Sequence, residues 1–265
     1  MIEMQTPPPP ALGTRVARLN AVAKLLAIVV LTVPLILTLD VVSAGVALAL
    51  ELALFPFAGL GWGAFWRRTW IVWLLAPLTG LTIALYGETS GQIYAEWFVV
   101  RISEGSLALA LATMLRVLAI ALPSVVLFAT VDPTDLADGL AQVLRLPARF
   151  VLGALAGLRM VGLFMDDWRA LELARRSRGV ADRGRIRRFL GMAFALLVLS
   201  IRRGTKLAVA MEARGFGAPG PRSWARESRF GVAEWLFVAL GAAVAAVAVA
   251  SASLLGTWNF ILGPG

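Results

Sequence analysis

Two Arg-Gly pairs are the residues whose type and position could carry a specific interaction. Arg178-Gly179 and Arg214-Gly215 each follow a long stretch of helical character and lie among many other cations. Glycine takes up the left-handed conformation that ends helices, and a cation there complements the helix dipole by about 0.3–1 kcal/mol. Helix capping explains either pair alone, but two matching helix ends in one basic region predict that the arginines also bind a partner. A guanidinium held at a helix tip can bind a carboxylate or backbone carbonyls of a partner in bidentate fashion.

The other residue types exclude most enzyme chemistry. The 265 residues contain no His and no Cys, which excludes a Ser-His triad, a Cys nucleophile, an imidazole or thiolate metal site and a disulfide. A nucleotide-binding P-loop needs Gly-Lys, whereas Lys24 follows an Ala and Lys206 follows a Thr. The sequence therefore predicts no catalytic residue, no resident metal and no cofactor.

One acidic motif leaves a weaker enzymatic alternative. Asp135-x-x-Asp138-Gly139 opens like the metal-binding motif of CDP-alcohol phosphotransferases, which hold divalent metal on a diphosphate. The Ala-Arg of that motif is replaced by Gln142-Val143, and its later pair of aspartates is absent. Helix capping is the better explanation of these acids, so a membrane-embedded phosphotransferase is the less favoured interpretation.

The composition indicates that these residues are positioned by membrane helices. The chain is 59% apolar and only 15% charged, with a mean hydropathy of +0.81, whereas soluble domains carry about 25% charged residues. A membrane helix needs about 20 apolar residues. Three segments fit, at 69–87, 105–131 and 236–255, and the shorter 25–39 forms with 41–60 an apolar pair hinged at Asp40, which brings the number of predicted spans to five. The predicted fold class is an all-α polytopic membrane helix bundle of about five spans with a cytoplasmic three-helix coupling region.

The distribution of positive charge predicts the orientation. Residues 131–230 contain 18 of the 25 Lys and Arg residues against nine acids, and so carry the whole net charge of +9. The positive-inside rule places the N-terminus and 131–230 in the cytoplasm and the C-terminus outside. We therefore expect a cytoplasmic N-terminal lead at 1–20, four spans in 21–130, cytoplasmic helices in 131–230 and a last span in 231–265.

Residues 131–230 are expected to contact the membrane but not nucleic acid. The apolar run at 189–201 has basic residues on both sides, which favours a helix on the membrane surface or packed against other helices over a span. The cations are expected to contact anionic membrane lipids. Nucleic acid is not expected as a partner, because aromatic platforms are sparse.

Capping signals divide 131–230 into three helices. The first begins at Asp132 as N-cap, with Pro133 at the first helical position and Asp135 in the first turn, and runs to about residue 144. The second is predicted over 149–178 and ends at Gly179. The third is predicted from about 185 to 214 and ends at Gly215.

The chain resembles the membrane-embedded T components of energy-coupling factor (ECF) transporters, the EcfT/CbiQ/BioN-like family, which import vitamins and transition-metal ions. Ala213-Arg214-Gly215, within Ala-Met-Glu-Ala-Arg-Gly-Phe at 210–216, looks like one of two Ala-Arg-Gly motifs of that family. The other motif resembles Ser177-Arg178-Gly179, with Ser in place of the usual Ala. Further residues that match the coupling region of the family are Asp132, Pro133, Asp135, Arg159 and Glu212.

The resemblance implies a coupling subunit without catalysis of its own. Arg178 and Arg214 would dock into two cytoplasmic ABC-type ATPase subunits, and the membrane helices would hold a substrate-binding S component. The substrate, a vitamin or a metal ion, would be recognised by that S component. The alternative is an ion-coupled secondary permease that uses Glu51 and Arg116, since charges within membrane segments are costly. A structural interpretation is that these two residues pair with each other or line a helix interface.

Overall fold

The computed structural model describes residues 16–58, 61–87, 90–97, 100–179, 184–218 and 223–257. The proline run at 7–10, within the predicted N-terminal lead, lies outside these residues. The described residues form eight α-helices, one 3-10 helix and one two-stranded hairpin. In chain order they are α1 (Ala21–Leu37), α2 (Val41–Leu54), the 3-10 helix (Phe55–Ala58), α3 (Trp62–Tyr86), β1 (Ile93–Trp97), β2 (Val100–Ser103), α4 (Glu104–Phe128), α5 (Pro133–Gln142), α6 (Ala148–Ser177), α7 (Arg185–Ala213) and α8 (Val232–Leu254).

The predicted fold class, a polytopic bundle of membrane helices, is confirmed. Helices α3, α4 and α8 have 25, 25 and 23 residues and are apolar enough to cross a membrane. Helices α1 and α2 are shorter, with 17 and 14 residues, which at 1.5 Å per residue falls short of a 30 Å hydrocarbon core. Helix α6 also meets the length and composition of a span. The cytoplasmic location that the charge pattern gives it stays a prediction.

A hairpin that the sequence analysis did not predict connects α3 to α4. Strands β1 and β2 pair in antiparallel fashion from Trp97↔Val100 to Ile93↔Ser103, with an irregularity in the register near Ile93. Ser103 then caps α4 reciprocally with Ser106: each hydroxyl accepts a hydrogen bond from the backbone N–H of the other residue, at 3.2 and 2.9 Å. The hydroxyl of Ser106 also donates to the Ala84 carbonyl at 3.3 Å. These bonds fix the end of α3 to the start of α4.

The chain divides into two compact units, residues 1–136 with 229–265 and residues 137–228. In the first unit, α3 packs along α4, while α1 and α2 pack on α4 and α8. Small residues allow close approach of backbones. A Cβ at Gly80 would lie 3.2 Å from the Ala110 carbonyl oxygen, and one at Gly241 would lie 3.0 Å from the Ala27 carbonyl oxygen.

The turn between α1 and α2 is buried beside the middle of α4. At one end of α4, the Lys24 ammonium donates to the Thr130 carbonyl at 3.2 Å. At its midpoint, Arg116 donates to the Thr38 carbonyl at 3.2 Å. With 1.5 Å per residue, the turn therefore lies about 18 Å from the start of α4. Asp40 begins α2 there as a buried N-cap that accepts hydrogen bonds from the Ser43 N–H and hydroxyl, both at 2.6 Å.

This geometry corrects one interpretation of the intramembrane charges. Arg116 lines the helix interface by binding the Thr38 carbonyl. It does not form an ion pair with Glu51, whose two carboxyl oxygens are buried without a hydrogen-bond partner among the described residues. A pair between the two is excluded because Arg116 lies beside the start of α2, while Glu51 lies in its last turn.

Candidate functional site: two arginine-tipped helix ends

Helix α6 ends as its sequence predicts. Its last helical residue is Ser177, followed by Arg178 as C-cap at φ −90°, ψ 4°. Gly179 then takes φ +66°, and its N–H donates to the Arg176 carbonyl at 3.0 Å. A Cβ at Gly179 would meet nothing within 4 Å, so the backbone conformation is the reason for glycine at this position.

Helix α7 ends in nearly the same geometry. It runs to Ala213, with Arg214 as C-cap at φ −92°, ψ 11° and Gly215 at φ +74°. The Gly215 N–H donates to the Glu212 carbonyl and the Phe216 N–H donates to the Met211 carbonyl, both at 2.9 Å. This pair of bonds is a Schellman motif. Each helix therefore presents an arginine at the last position before a left-handed turn.

The two tip arginines are available to a partner. Arg178 and Arg214 are exposed, and neither guanidinium forms an ion pair or a hydrogen bond with any described residue. Other arginines of α6 and α7 are engaged: Arg176, Arg188 and Arg203 all bind carboxylates. The arrangement can donate two sets of five N–H groups to external acceptors.

Replacing each of two glycines of α7 with alanine should change the free energy of unfolding in opposite directions. Gly215→Ala places a Cβ at φ +74° and should lower the free energy of unfolding by about 1 kcal/mol. Gly204→Ala lies inside the helix with open space around the new Cβ and should raise it by a similar amount. Thermal unfolding of the two variants in detergent checks the signs, and stabilisation by both would contradict the role of the turn.

Ion pairs between α6 and α7 hold the two helices together. Glu172 of α6 accepts from Arg188 of α7 at 2.6 Å and from Arg176 of its own helix at 2.8 Å. Asp167 of α6 accepts from Arg203 of α7 at 2.6 Å. These interhelical pairs lie five residues apart on α6 but fifteen apart on α7, so the two helix axes are inclined to each other. The contact region that contains both pairs is called the crossing of α6 and α7 below. The interaction fixes the relative position of the two helices that carry the tips.

Near the crossing the contact is apolar. The rings of Trp168 and Phe189 lie 5.6 Å apart, and Met192 is only 1% exposed. The guanidinium group of Arg175 lies over Gly191, where a Cβ would be 3.0 Å from its nearest nitrogen. Packing and charge therefore act together at this crossing.

The adjacent residue Arg202 provides a control for testing the ion pair between Asp167 and Arg203. Arg203→Gln leaves Asp167, whose side chain is 14% exposed, without its partner and should destabilise the protein by about 1 kcal/mol or more. Arg202→Gln at the adjacent exposed position should have little effect. The double variant Asp167→Asn/Arg203→Gln should recover part of the loss, since it removes the uncompensated charge. Thermal unfolding midpoints measure all three; equal shifts for Arg202 and Arg203 would refute a structural role of the pair.

The supporting residues occupy the positions predicted from the capping signals. Asp132 accepts a hydrogen bond from the Thr134 N–H at 2.7 Å, Pro133 is the first residue of α5 and Asp135 lies in its first turn. Helix α5 ends at Gln142, two residues earlier than predicted, and Arg145 follows at φ +53°.

Of three further candidate residues, Arg159 lies apart from the tips, whereas Glu212 and Ser177 form hydrogen bonds within the last turns of α7 and α6. Arg159 is exposed on α6, about 27 Å along the helix axis from its end, so it is not part of the tip. Glu212 contributes its backbone carbonyl to the α7 cap and Ser177 donates to the Ala174 carbonyl at 3.0 Å. Among the described residues, no group of three acidic side chains could hold a metal ion.

Sequence reasoning missed the residues that connect the helices. The sequence analysis singled out neither Asp167 nor Glu172. A usable signal was present, because few acids lie in this basic region and each must neighbour several cations. The Gln142 amide was also missed: it donates to the Arg226 carbonyl at 2.8 Å and accepts from the Ser228 N–H at 2.9 Å.

The fold and these helix ends define a multi-pass helical membrane protein with a pair of exposed arginine tips. A model of the CbiQ family, described as cobalt transport protein, matches residues 14–226. The chain belongs to this family.

Curated relatives agree with this membership. The chain is 30% identical over 171 residues to the energy-coupling factor transporter transmembrane protein EcfT of Limosilactobacillus fermentum, an alignment that covers 59% of this chain and 62% of that protein. The protein of the same name from Lactococcus lactis is 30% identical over 176 residues, covering 59% and 65%. The one from Streptococcus equi is 25% identical over 217 residues, covering 75% and 78%. The chain thus spans somewhat less than two thirds of the first two relatives.

Proposed function

We propose that this protein is the membrane-embedded coupling subunit of an ABC-type ECF importer. It would transmit motion from two cytoplasmic ATPase subunits to a membrane S component that binds the substrate. The observation that carries the proposal is the pair of exposed Arg-Gly ends with the same backbone geometry on α6 and α7. Family membership and the names of the relatives support it.

Each tip would dock on one ATPase subunit. A guanidinium fixed by a helix C-cap loses little conformational freedom when it binds, and its fork suits a carboxylate or a set of backbone carbonyls. Two tips of the same geometry would suit one docking groove on each of two ATPase subunits. This holds whether the two subunits are identical or different. Residues 131–230, with the N-terminus, would lie in the cytoplasm, and the C-terminus outside, as the charge distribution predicts.

The ion pairs between α6 and α7 would transmit motion from one helix to the other. ATP binding would move the two ATPase subunits, and with them the ends of α6 and α7. Because Glu172 and Asp167 tie α6 to Arg188 and Arg203 of α7, displacement of one tip would be passed to the other helix at their crossing. The membrane helices would then reposition the S component.

No catalysis is assigned to this chain. ATP hydrolysis would belong to the partners, because the sequence contains no P-loop. Substrate choice, vitamin or metal ion, would belong to the S component, and the remaining cations of 131–230 would contact anionic lipids. The ion-coupled permease has less support, since Arg116 is committed to a backbone carbonyl and Glu51 lies in an apolar cavity.

Gentle purification of the tagged chain in nanodiscs, followed by mass spectrometry of what is retained, tests the proposal. We expect two ATPase subunits and one small membrane protein in a fixed ratio, and the identity of the latter would indicate the substrate. Ion-dependent uptake by liposomes that contain the chain alone would contradict the proposal and favour the permease.

A further inference from the structure

An apolar cavity in the first unit contains one ionisable side chain without a hydrogen-bond partner among the described residues. The cavity has a volume of about 230 Å³ and lies between α1, α2, the 3-10 helix, α3, α4 and α8. Among the described residues that line it, Glu51 is the only polar one; the others are Val16, Ala27, Ile28, Leu31, Leu52, Leu54, Phe55, Phe57, Phe65, Leu122, Pro123, Val126, Leu127, Phe237, Leu240, Gly241 and Val244.

The carboxyl group of Glu51 is unsatisfied whichever protonation state it takes. Both oxygens are buried and have no hydrogen-bond partner among the described residues. A buried polar group without a partner costs about 1–3 kcal/mol, and a buried charge more. Two cations of the surrounding helices are already bound to backbone carbonyls: Arg116 to that of Thr38, and Lys24 to those of Ala17 and Thr130. A ligand that brings a hydrogen-bond donor would remove this cost.

Water is a poor candidate for that ligand. A buried water typically needs two to four polar partners, and the side chains that line this cavity offer only Glu51. An apolar molecule alone would fill the volume but leave the carboxyl group unpaired. The lining therefore selects for an apolar body that carries one donor group. A cationic donor is favoured, because the hydrogen bond between an ammonium group and a carboxylate is stronger than one between neutral groups.

We propose that this cavity binds a small amphiphilic primary amine, with its ammonium group on Glu51 and its apolar body among the surrounding side chains. The volume indicates how large a body the site can enclose, since a cavity of about 150 Å³ accommodates benzene and 230 Å³ leaves room for a short chain as well. A molecule of the size of 2-phenylethylamine fits these limits. A phospholipid headgroup fits less well, because its phosphate would enter an apolar lining.

Such a ligand would act on the packing of the first unit. Elements α1, α2, α4 and α8 all contribute lining residues, so an occupant bridges helices that are far apart in the sequence. A ligand that binds only the folded state stabilises it in proportion to the logarithm of its concentration over Kd. This site does not depend on the docking of ATPases, and its failure would leave the proposed function unchanged.

The test is a ¹⁹F NMR titration of the full chain in phosphatidylcholine nanodiscs with 4-fluorophenethylamine, compared with the neutral 2-(4-fluorophenyl)ethanol. We expect saturable binding of the amine with a Kd at least tenfold lower than that of the alcohol. Glu51→Gln should remove this difference, whereas Glu104→Gln, at an exposed position at the start of α4, should preserve it. Ile28→Phe, which fills the cavity from α1, should weaken the binding of both probes.

Two outcomes would overturn the proposal. Equal affinity of the wild-type chain for the amine and the alcohol would show that Glu51 recognises no cation, and this comparison stands even if Glu51→Gln fails to fold. Loss of amine binding when phosphatidylethanolamine replaces phosphatidylcholine would assign the site to a lipid headgroup instead of a free amine.

Discussion

Replacing Arg178 and Arg214 together with Glu should abolish association with the ATPase subunits while leaving membrane insertion intact. Removal of one partner of a buried, hydrogen-bonded charge pair costs about 2–5 kcal/mol, and here two such contacts would be lost and replaced by repulsion. That corresponds to roughly a thousandfold or greater loss of affinity. Both side chains are exposed and without partners among the described residues, so the fold itself should tolerate the change. Co-purification of ATPases with the tagged variant measures the effect.

The matched control reverses the same number of charges on the same helices. Arg169→Glu/Arg202→Glu changes two exposed arginines away from the tips, one on α6 and one on α7. Of these, Arg169 forms a solvent-exposed ion pair with Asp166 at 3.7 Å, which contributes little to stability. If only net charge mattered, this variant would lose the ATPases as well. Retention by the control and loss by the tip variant would locate the docking at the helix ends. Wild-type retention by the tip variant would refute the coupling assignment.

Gly241→Val should separate α1 from α8 and destabilise the first unit by about 1–3 kcal/mol. The new Cβ would lie 3.0 Å from the carbonyl oxygen of Ala27 and 3.4 Å from its Cα. These are backbone atoms, which cannot move aside without shifting the helix. A branched side chain adds two methyl groups to this contact. The thermal unfolding midpoint in detergent, followed by size-exclusion chromatography, reports the loss.

A second glycine of the membrane helices provides the comparison. A Cβ at Gly45 of α2 would meet only the Leu115 side chain, at 3.8 Å, which is ordinary van der Waals contact. Gly45→Ala should therefore be neutral or stabilising, because alanine favours helix over glycine by about 0.8–1 kcal/mol. Destabilisation by both variants to the same degree would mean that the contact at Ala27 has no special importance.

The elements predicted best are those whose ends carry a local signal. Asp132-Pro133 and the two Arg-Gly pairs gave the ends of α5, α6 and α7 to within a few residues, because a cap is decided by the residues at the cap itself. The predicted start of the third span, at residue 69, was less accurate, because α3 begins at Trp62. Arg67 and Arg68 lie within its first two turns, since a helix can continue past the end of the apolar segment.

Features that depend on distant residues could not be predicted. The partner of Arg116 is a backbone carbonyl, which has no sequence signature, so the carbonyl of Thr38 could not be identified. The crossing of α6 and α7 requires knowing which of many cations faces Asp167 or Glu172. The hairpin before α4 was overlooked because it is a short β-branched and aromatic stretch between two stronger apolar helices.

The close approach of α1 and α8 has a consequence for the order of synthesis. Residues 229–265 complete the unit formed by 1–136, and the Asn20 amide donates to the Arg229 carbonyl at 2.9 Å. On the ribosome, α1 and α2 therefore emerge long before α8, one of the two helices against which they pack, and all of 137–228 is translated in between. During that interval the groove along α1 is open to lipid or to membrane insertase. The first unit closes only when the last helix enters the bilayer, so truncation near the C-terminus should expose α1 to degradation although its own sequence is intact.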